Sequence, residues 1–273
     1  MMARSSLRVE GLRRPRRCSS AFVMAALGFT CISGGIQQPA SSASRAASSA
    51  TSVSALNIAV ITGTTRTSPP PRPILGPRVS SYICQQLEDR GHSVSVIDPR
   101  KIQLPLLEKP HFAYAESQLP TQLAELHGVL EKADAYVTIT PEYNHAPSPA
   151  LLNVLNHFGS SVFSWKPSAI VSYSAGQWGG SRAAIALRPV LSELGCLPVS
   201  ALVHVPSAGS VFDEDGGVIG NEDEAEKWKS YVGRCIGQLE WWGEAAKTHR
   251  SVVDSNFVSP AFRTSPSQRN APS

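Results

Sequence analysis

The sequence is poor in cysteine and in aromatic residues. Five cysteines stand in 273 residues, with no CxxC pair and no metal-like spacing to a histidine. Cys18 and Cys31 fall near the N-terminus, while Cys84 and Cys235 occupy apolar positions of helical stretches. That usage argues against a disulfide framework or a cysteine metal site, and for small buried hydrophobes in a reducing compartment. Long hydrophobic runs are also missing. The apolar run from Ala21 to Ile32 is about a dozen residues, short of the roughly 18 that cross a bilayer, so no stable membrane span is expected. GxGxxG is absent, which disfavours a Rossmann dinucleotide site, and so is GK[ST], which disfavours a triphosphate P-loop. No Ser/His/Asp order or metal constellation competes for the chemistry.

Aromatics make up 7% of the chain but apolar residues make up 42%, enough for a sizeable core. The formal charge of +4 is a property of one end. Of the 25 basic and 21 acidic residues, seven arginines and Glu10 lie in residues 1–55, leaving 18 and 20, about −2. The body therefore lacks the clustered basic face that nucleic acid requires.

Residues 1–55 read as a targeting or disordered leader. Arg4, Arg8, Arg13, Arg14, Arg16 and Arg17 open it, and a Ser/Ala-rich stretch closes it. Arginine and serine with almost no acid suit an organellar (mitochondrial or plastid) transit peptide. An untargeted extension on a cytoplasmic protein and a secretory signal are the alternatives. Residues 248–273, rich in Ser, Pro and Asn, read as a disordered tail.

Between these ends, over 56–247, strands alternate with helices. Strands are expected at 56–62, 92–98, 134–140, 169–174 and 198–205. Helices are expected at 77–89, 121–132, from Ser148, up to about Leu194, and at 222–247. Trp228, Val232, Cys235, Leu239 and Trp242 recur at helical spacing on the last helix, as core or interface packing. Such alternation implies an α/β fold with a parallel sheet between two helical layers. Five units fit the doubly wound order 2-1-3-4-5, the flavodoxin-like arrangement. There the loops after strands one, three and four share one edge at the strands' carboxyl ends.

The first of these loops is Gly63-Thr64-Thr65-Arg66-Thr67-Ser68. A glycine turn, four hydroxyls, an arginine and a following helix N-terminus suit a dianionic phosphate monoester. Arg72 and Arg78 are further cationic candidates. The insert from Ser68 to Gly76, rich in proline, lengthens the route from loop to helix.

The loop after the third strand reads Pro141-Glu142-Tyr143-Asn144-His145 and runs on to Ser148-Pro149. Pro141 is expected to end the strand, and Ser148 to cap the next helix with Pro149 at its first position. The loop after the fourth strand is Ser174-Ala-Gly176-Gln-Trp178-Gly179-Gly180-Ser181. Its glycines would let backbone approach a ring closely.

Over residues 56–215 the ordered set Gly63–Arg66, Pro141–Asn144 with Ser148–Asn153, Lys166-Pro167 and Ser172–Gly180 resembles the NADPH-dependent FMN reductase family. That family includes flavin-dependent quinone and azo-dye reductases. The resemblance implies FMN phosphate on the first loop, the isoalloxazine edge along Pro141–Asn144, and ring and nicotinamide contacts at Ser174, Gly176, Gly179 and Gly180. It also implies hydride transfer from NADPH or NADH through FMN to a quinone-like acceptor, in a homodimer or homotetramer. No side chain need act as acid or nucleophile; His145 is a weak candidate for proton donation. The alternative is a non-catalytic, FMN-binding electron carrier or interaction protein of the same fold.

Overall fold

The structure, a computed structural model, describes residues 54–69, 73–102 and 104–254. The leader up to residue 53, Arg72 and the tail from residue 255 lie outside the described residues.

β1 (Asn57–Thr62) is the second strand from one edge of the sheet. It pairs in parallel with β2 (Ser93–Ile97) on one side and β3 (Ala135–Tyr143) on the other, so that Val60 stands level with Val96 and Val137. β5 (Pro167–Tyr173) and β6 (Leu197–Val205) continue the sheet in parallel. The order is β2-β1-β3-β5-β6, and the two-residue β4 (Ala146–Pro147) hooks antiparallel onto β3. Without that hook the order is the expected flavodoxin-like 2-1-3-4-5.

Strand periodicity explains the two cores. Successive β1 side chains point to opposite faces, and both faces are covered, so β1 reads as one apolar run. Ile58 and Val60 face α1 (Gly76–Glu88) and α7 (Glu222–Arg250), packing with Val79, Ile83, Val232 and Leu239. Ala59 and Ile61 face α2 (Thr121–Lys132), α3 (Pro149–Asn156) and α5 (Ser181–Glu193), packing with Leu126, Leu130, Leu151 and Leu187. Each large side chain so buried contributes about 1.5–3 kcal/mol relative to exposure. Two short helical turns, α4 (Ser160–Phe163) and α6 (Ala208–Val211), fill the connections before β5 and after β6.

Two expectations change. β3 does not stop at Thr140; it continues through Pro141 to Tyr143 and turns back as β4. A proline lacks only one donor, and Thr140 closes the hairpin base. Its Oγ1 donates to the Pro141 carbonyl at 2.8 Å and accepts from Ser148 N at 3.0 Å. α7 runs to Arg250, past the expected Lys247, because Lys247 and Arg250 both reach Asp134 at the foot of β3, at 2.9 and 3.4 Å. Among the described residues no helix is long and apolar enough to cross a membrane.

Candidate functional site

The three unusual loops meet at the carboxyl end of the sheet around a cleft of about 220 Å³. Thr64 and Arg66 of the first loop form one side, with Ile74 and Leu75 ahead of α1. Pro141, Glu142 and Tyr143 form the second side; Ser174, Ala175, Gly176 and Trp178 form the third. Tyr173, the last residue of β5, lies between them.

On the first side, the N-cap of α1, Leu75, has no capping side chain, and the first turn carries no acid. An uncapped helix start leaves a positive dipole end for an anion; here Pro77 has no N–H and Val79 N–H is spent on the Leu75 carbonyl, which leaves the Gly76 and Arg78 amides. Thr64 is buried and its Oγ1 accepts from Arg66 N at 3.2 Å, which folds the loop over the helix start. Gly63 donates to the Ile139 carbonyl at 2.8 Å, and a Cβ there would stand 2.5 Å from Ser148 Oγ. Its role is close packing beneath the loop, not lining. Thr65 and Thr67 are exposed and open onto a separate hollow beside Arg100; Ser68 is exposed and lines neither.

Arg78 departs from its expected phosphate role. Its guanidinium donates to the Phe212 carbonyl at 3.1 Å and to Glu214 at 3.3 Å, tying α1 to the turn after α6. Sequence alone hides this because the partners are 134 and 136 residues away.

The second side is the β3–β4 hairpin. Asn144 and His145 form its tip, with φ of 51° and 64°, the left-handed pair that a two-residue hairpin turn requires. Both are exposed and outside the cleft lining, so the structure separates them from Pro141–Tyr143. The Glu142 carboxylate faces the third loop, where it accepts from the Arg182 and Ala183 amides at 3.2 and 3.3 Å and pairs with Arg182 Nη1 at 3.3 Å. It thus caps α5 from another element.

The third side depends on buried glycines. Gly179 and Gly180 have φ of 57° and 77°, and a Cβ on Gly180 would come within about 3 Å of Tyr173 backbone atoms. They shape the loop from beneath, while Ser174 and Gly176 line the cleft. Ser172 Oγ lies 2.8 Å from the Gly179 carbonyl and 2.8 Å from His204 Nδ1. Because the one hydroxyl proton goes to Gly179, His204 donates through Nδ1. Burial lowers the His204 pKa, which favours the neutral ring.

Tyr173 was not singled out from the sequence, where it reads as an ordinary strand residue. Burial, with Tyr143 nearby, pushes its phenol well above the ordinary range, against the opposing hydrogen bond to Thr64 and the charges of Arg100 and Arg66. It stays neutral and holds Thr64. Its position at the strand's end, where every α/β site lies, was the available signal.

The sequence pattern of the NADPH-dependent FMN reductases matches residues 56–210, more than half of the chain. The chain belongs to that family. It is 30% identical over 156 residues to an NAD(P)H-dependent FMN reductase of Pseudomonas aeruginosa, covering 56% of this chain and 79% of that one. It is 32% identical over 93 residues to a quinone reductase of Pseudomonas putida, covering 32% of this chain and half of that protein's length. An NADPH azoreductase of a Bacillus species is 32% identical over 106 residues, 38% of this chain and 54% of that one. The flavoenzyme NAD(P)H:(acceptor) oxidoreductase FerB from Paracoccus denitrificans shares the fold. Its TM-score is 0.57 at 21% identity, over 68% of this chain and 98% of FerB.

The family's flavin mononucleotide fits what these residues offer. A phosphate monoester suits the uncapped α1 start with Thr64 and Arg66; a flat ring suits a cleft walled by Pro141, Tyr143 and the Ser174–Gly176 backbone. The cleft is lined by more apolar than polar surface, as cofactor sites commonly are.

Proposed function

We propose that this chain is an FMN-dependent NAD(P)H oxidoreductase that reduces a quinone-like or other small acceptor. The observation that carries the reading is the meeting of an uncapped helix start, the Pro141–Tyr143 wall and the Ser174–Gly176 backbone at one cleft. Bound FMN supplies two-electron redox chemistry that no side chain here possesses. The protein's share is binding and orientation. Thr64, Arg66 and the Gly76 and Arg78 amides at the start of α1 would hold the phosphate; Pro141, Tyr143 and Ser174 would fix the ring edge. Tyr143 would keep water from the ring. No histidine lines the cleft and Glu142 is committed to α5, so orientation carries the reaction, with no acid or base from these loops.

Family membership favours this reading over a non-catalytic electron carrier, and a body charge of about −2 is weak for a carrier that docks on partners by charge. An anaerobic absorbance spectrum before and after NADPH tests it. Purified protein mixed with FMN should retain the yellow band, and NADPH should bleach it. A protein that cannot retain FMN, or a band that NADPH leaves intact, overturns the proposal.

Two further points belong to the same reading. A homodimer or homotetramer is proposed, supported by an apolar groove of about 580 Å³ at the other end of the sheet, where Trp165 and Trp242 stand open. Light scattering giving a monomer mass would refute it. Organellar import is proposed from the arginine-rich leader alone, and a reporter fused to residues 1–55 that stays cytoplasmic would refute it.

A further inference from the structure

Trp178 is 59% exposed and lines the cleft together with Tyr143, which is 43% exposed. A side chain this open is free to swing unless something holds it. Here the Arg182 guanidinium lies over the indole, 5.2 Å from its centroid. Arg182 is held in turn. Its Nη1 donates to Glu142 Oε1 at 3.3 Å, and its own backbone N–H donates to Glu142 Oε2 at 3.2 Å. A line of contacts therefore runs from the second loop, through the first turn of α5, to the ring of the third loop. With the cation against it the indole is still largely exposed, so ring surface remains open to a flat molecule.

Holding an aromatic ring in one orientation before a ligand arrives removes the ordering cost from binding. The benefit goes only to ligands that can stack. A fused aromatic acceptor gains the contact, worth about threefold to tenfold in binding, whereas a compact oxidant gains nothing. The cation over the indole adds a smaller increment through the ring's own placement.

We propose that Trp178, positioned by Arg182 and Glu142, is the aromatic wall of the acceptor subsite and selects planar aromatic oxidants over compact ones. The proposal rests on the reading of the cleft as an FMN site. Glu142 and Arg182 are positioning residues in it; Trp178 touches the acceptor.

FMN-loaded wild type, Trp178→Ala, Trp178→Phe and Arg182→Met separate the outcomes. The acceptors are 2-methyl-1,4-naphthoquinone and dioxygen, which is neutral and too small to stack. Trp178→Ala should lower kcat/KM for the naphthoquinone about threefold to tenfold, mainly through KM, and leave dioxygen nearly unchanged. Trp178→Phe should restore most of the loss. Arg182→Met keeps the chain length without the charge and should give an intermediate loss. In oxidised protein without NADPH, naphthoquinone binding followed by the flavin difference spectrum should weaken by the same factors. Equal losses for both acceptors, or an unchanged naphthoquinone constant in Trp178→Ala, overturn the subsite. Wild type that fails to hold FMN, or holds it without bleaching by NADPH, overturns the flavin reading and the subsite with it.

Discussion

Two residues show how local backbone decides the site. His145 holds a φ of 64° at the hairpin tip, a conformation that costs a non-glycine residue about 1–2 kcal/mol. Glycine adopts it freely but loses about 0.5–1 kcal/mol in unfolded-chain entropy. His145→Gly makes the Asn-Gly pair that such turns favour, so the urea midpoint should rise, by about 0.5–1 kcal/mol in stability. The same variant decides the one side chain considered for proton donation: quinone turnover should persist, and a tenfold fall would restore the imidazole to the reaction. Gly180 is the opposite case. A methyl there meets Ser172 Cβ at 2.9 Å and Tyr173 N at 3.0 Å, under a φ of 77°. Gly180→Ala should lose about 1–3 kcal/mol in urea unfolding and weaken FMN retention, since the loop would be displaced. That this loop needs glycine was legible from the Gly-Gly pair. That Ser172 and His204 hold it was not, because their contact joins two strands across 32 residues.

At the scale of elements, the alternation of apolar runs and helical stripes placed every main strand and helix within a few residues. The Gly63, Pro141 and Ser174 loops were legible as neighbours because doubly wound topology leaves them no other edge. What escaped was tertiary. Pro141 looked like a strand end, yet the β3–β4 hairpin uses Thr140 to carry the strand past it. Glu142 lines the cleft along the expected ring edge, but that its carboxylate serves α5, whose own N-cap, Gly180, has no side chain to offer, was not legible. A cap supplied from another element has no signature at fixed spacing. Glu142→Gln keeps the acceptor oxygen but loses the charge opposite the helix start and Arg182. It should cost about 0.5–1 kcal/mol in urea unfolding, most at low salt. A loss that does not shrink as salt rises would show that the carboxylate acts there by shape alone.

For the whole molecule, the buried thiols and one buried amine set the alkaline limit of the fold. Burial pushes the Cys196 thiol up to about 12, with the Ser168 hydrogen bond and Lys166 opposing. It pushes Cys235 up to about 11, with Arg234 and Arg188 opposing. Each folded value lies above the unfolded one, so each contribution is complete below about pH 8.5 and lost as pH rises through the folded value. Lys166 works in the other direction. Burial, with Arg250 nearby, lowers it to about 8 from 10.5, so the unfolded chain holds the extra proton and stability rises between those values. Two thiols, with Cys84 also raised by burial, outweigh one amine, so stability should fall as pH rises above about 9. Above about 10.5 the amine no longer offsets them, and from about pH 10 the phenols of Tyr82, raised to about 12 by burial with Glu226 adding, and of Tyr136 and Tyr173, raised further by burial, steepen the fall. Urea unfolding across pH 8–11 should trace this curve. Cys196→Ala lowers stability at every pH through the lost packing, but it should remove one proton from the slope. A slope left unchanged would mean that the Cys196 thiol ionises in the folded state as readily as in the unfolded one.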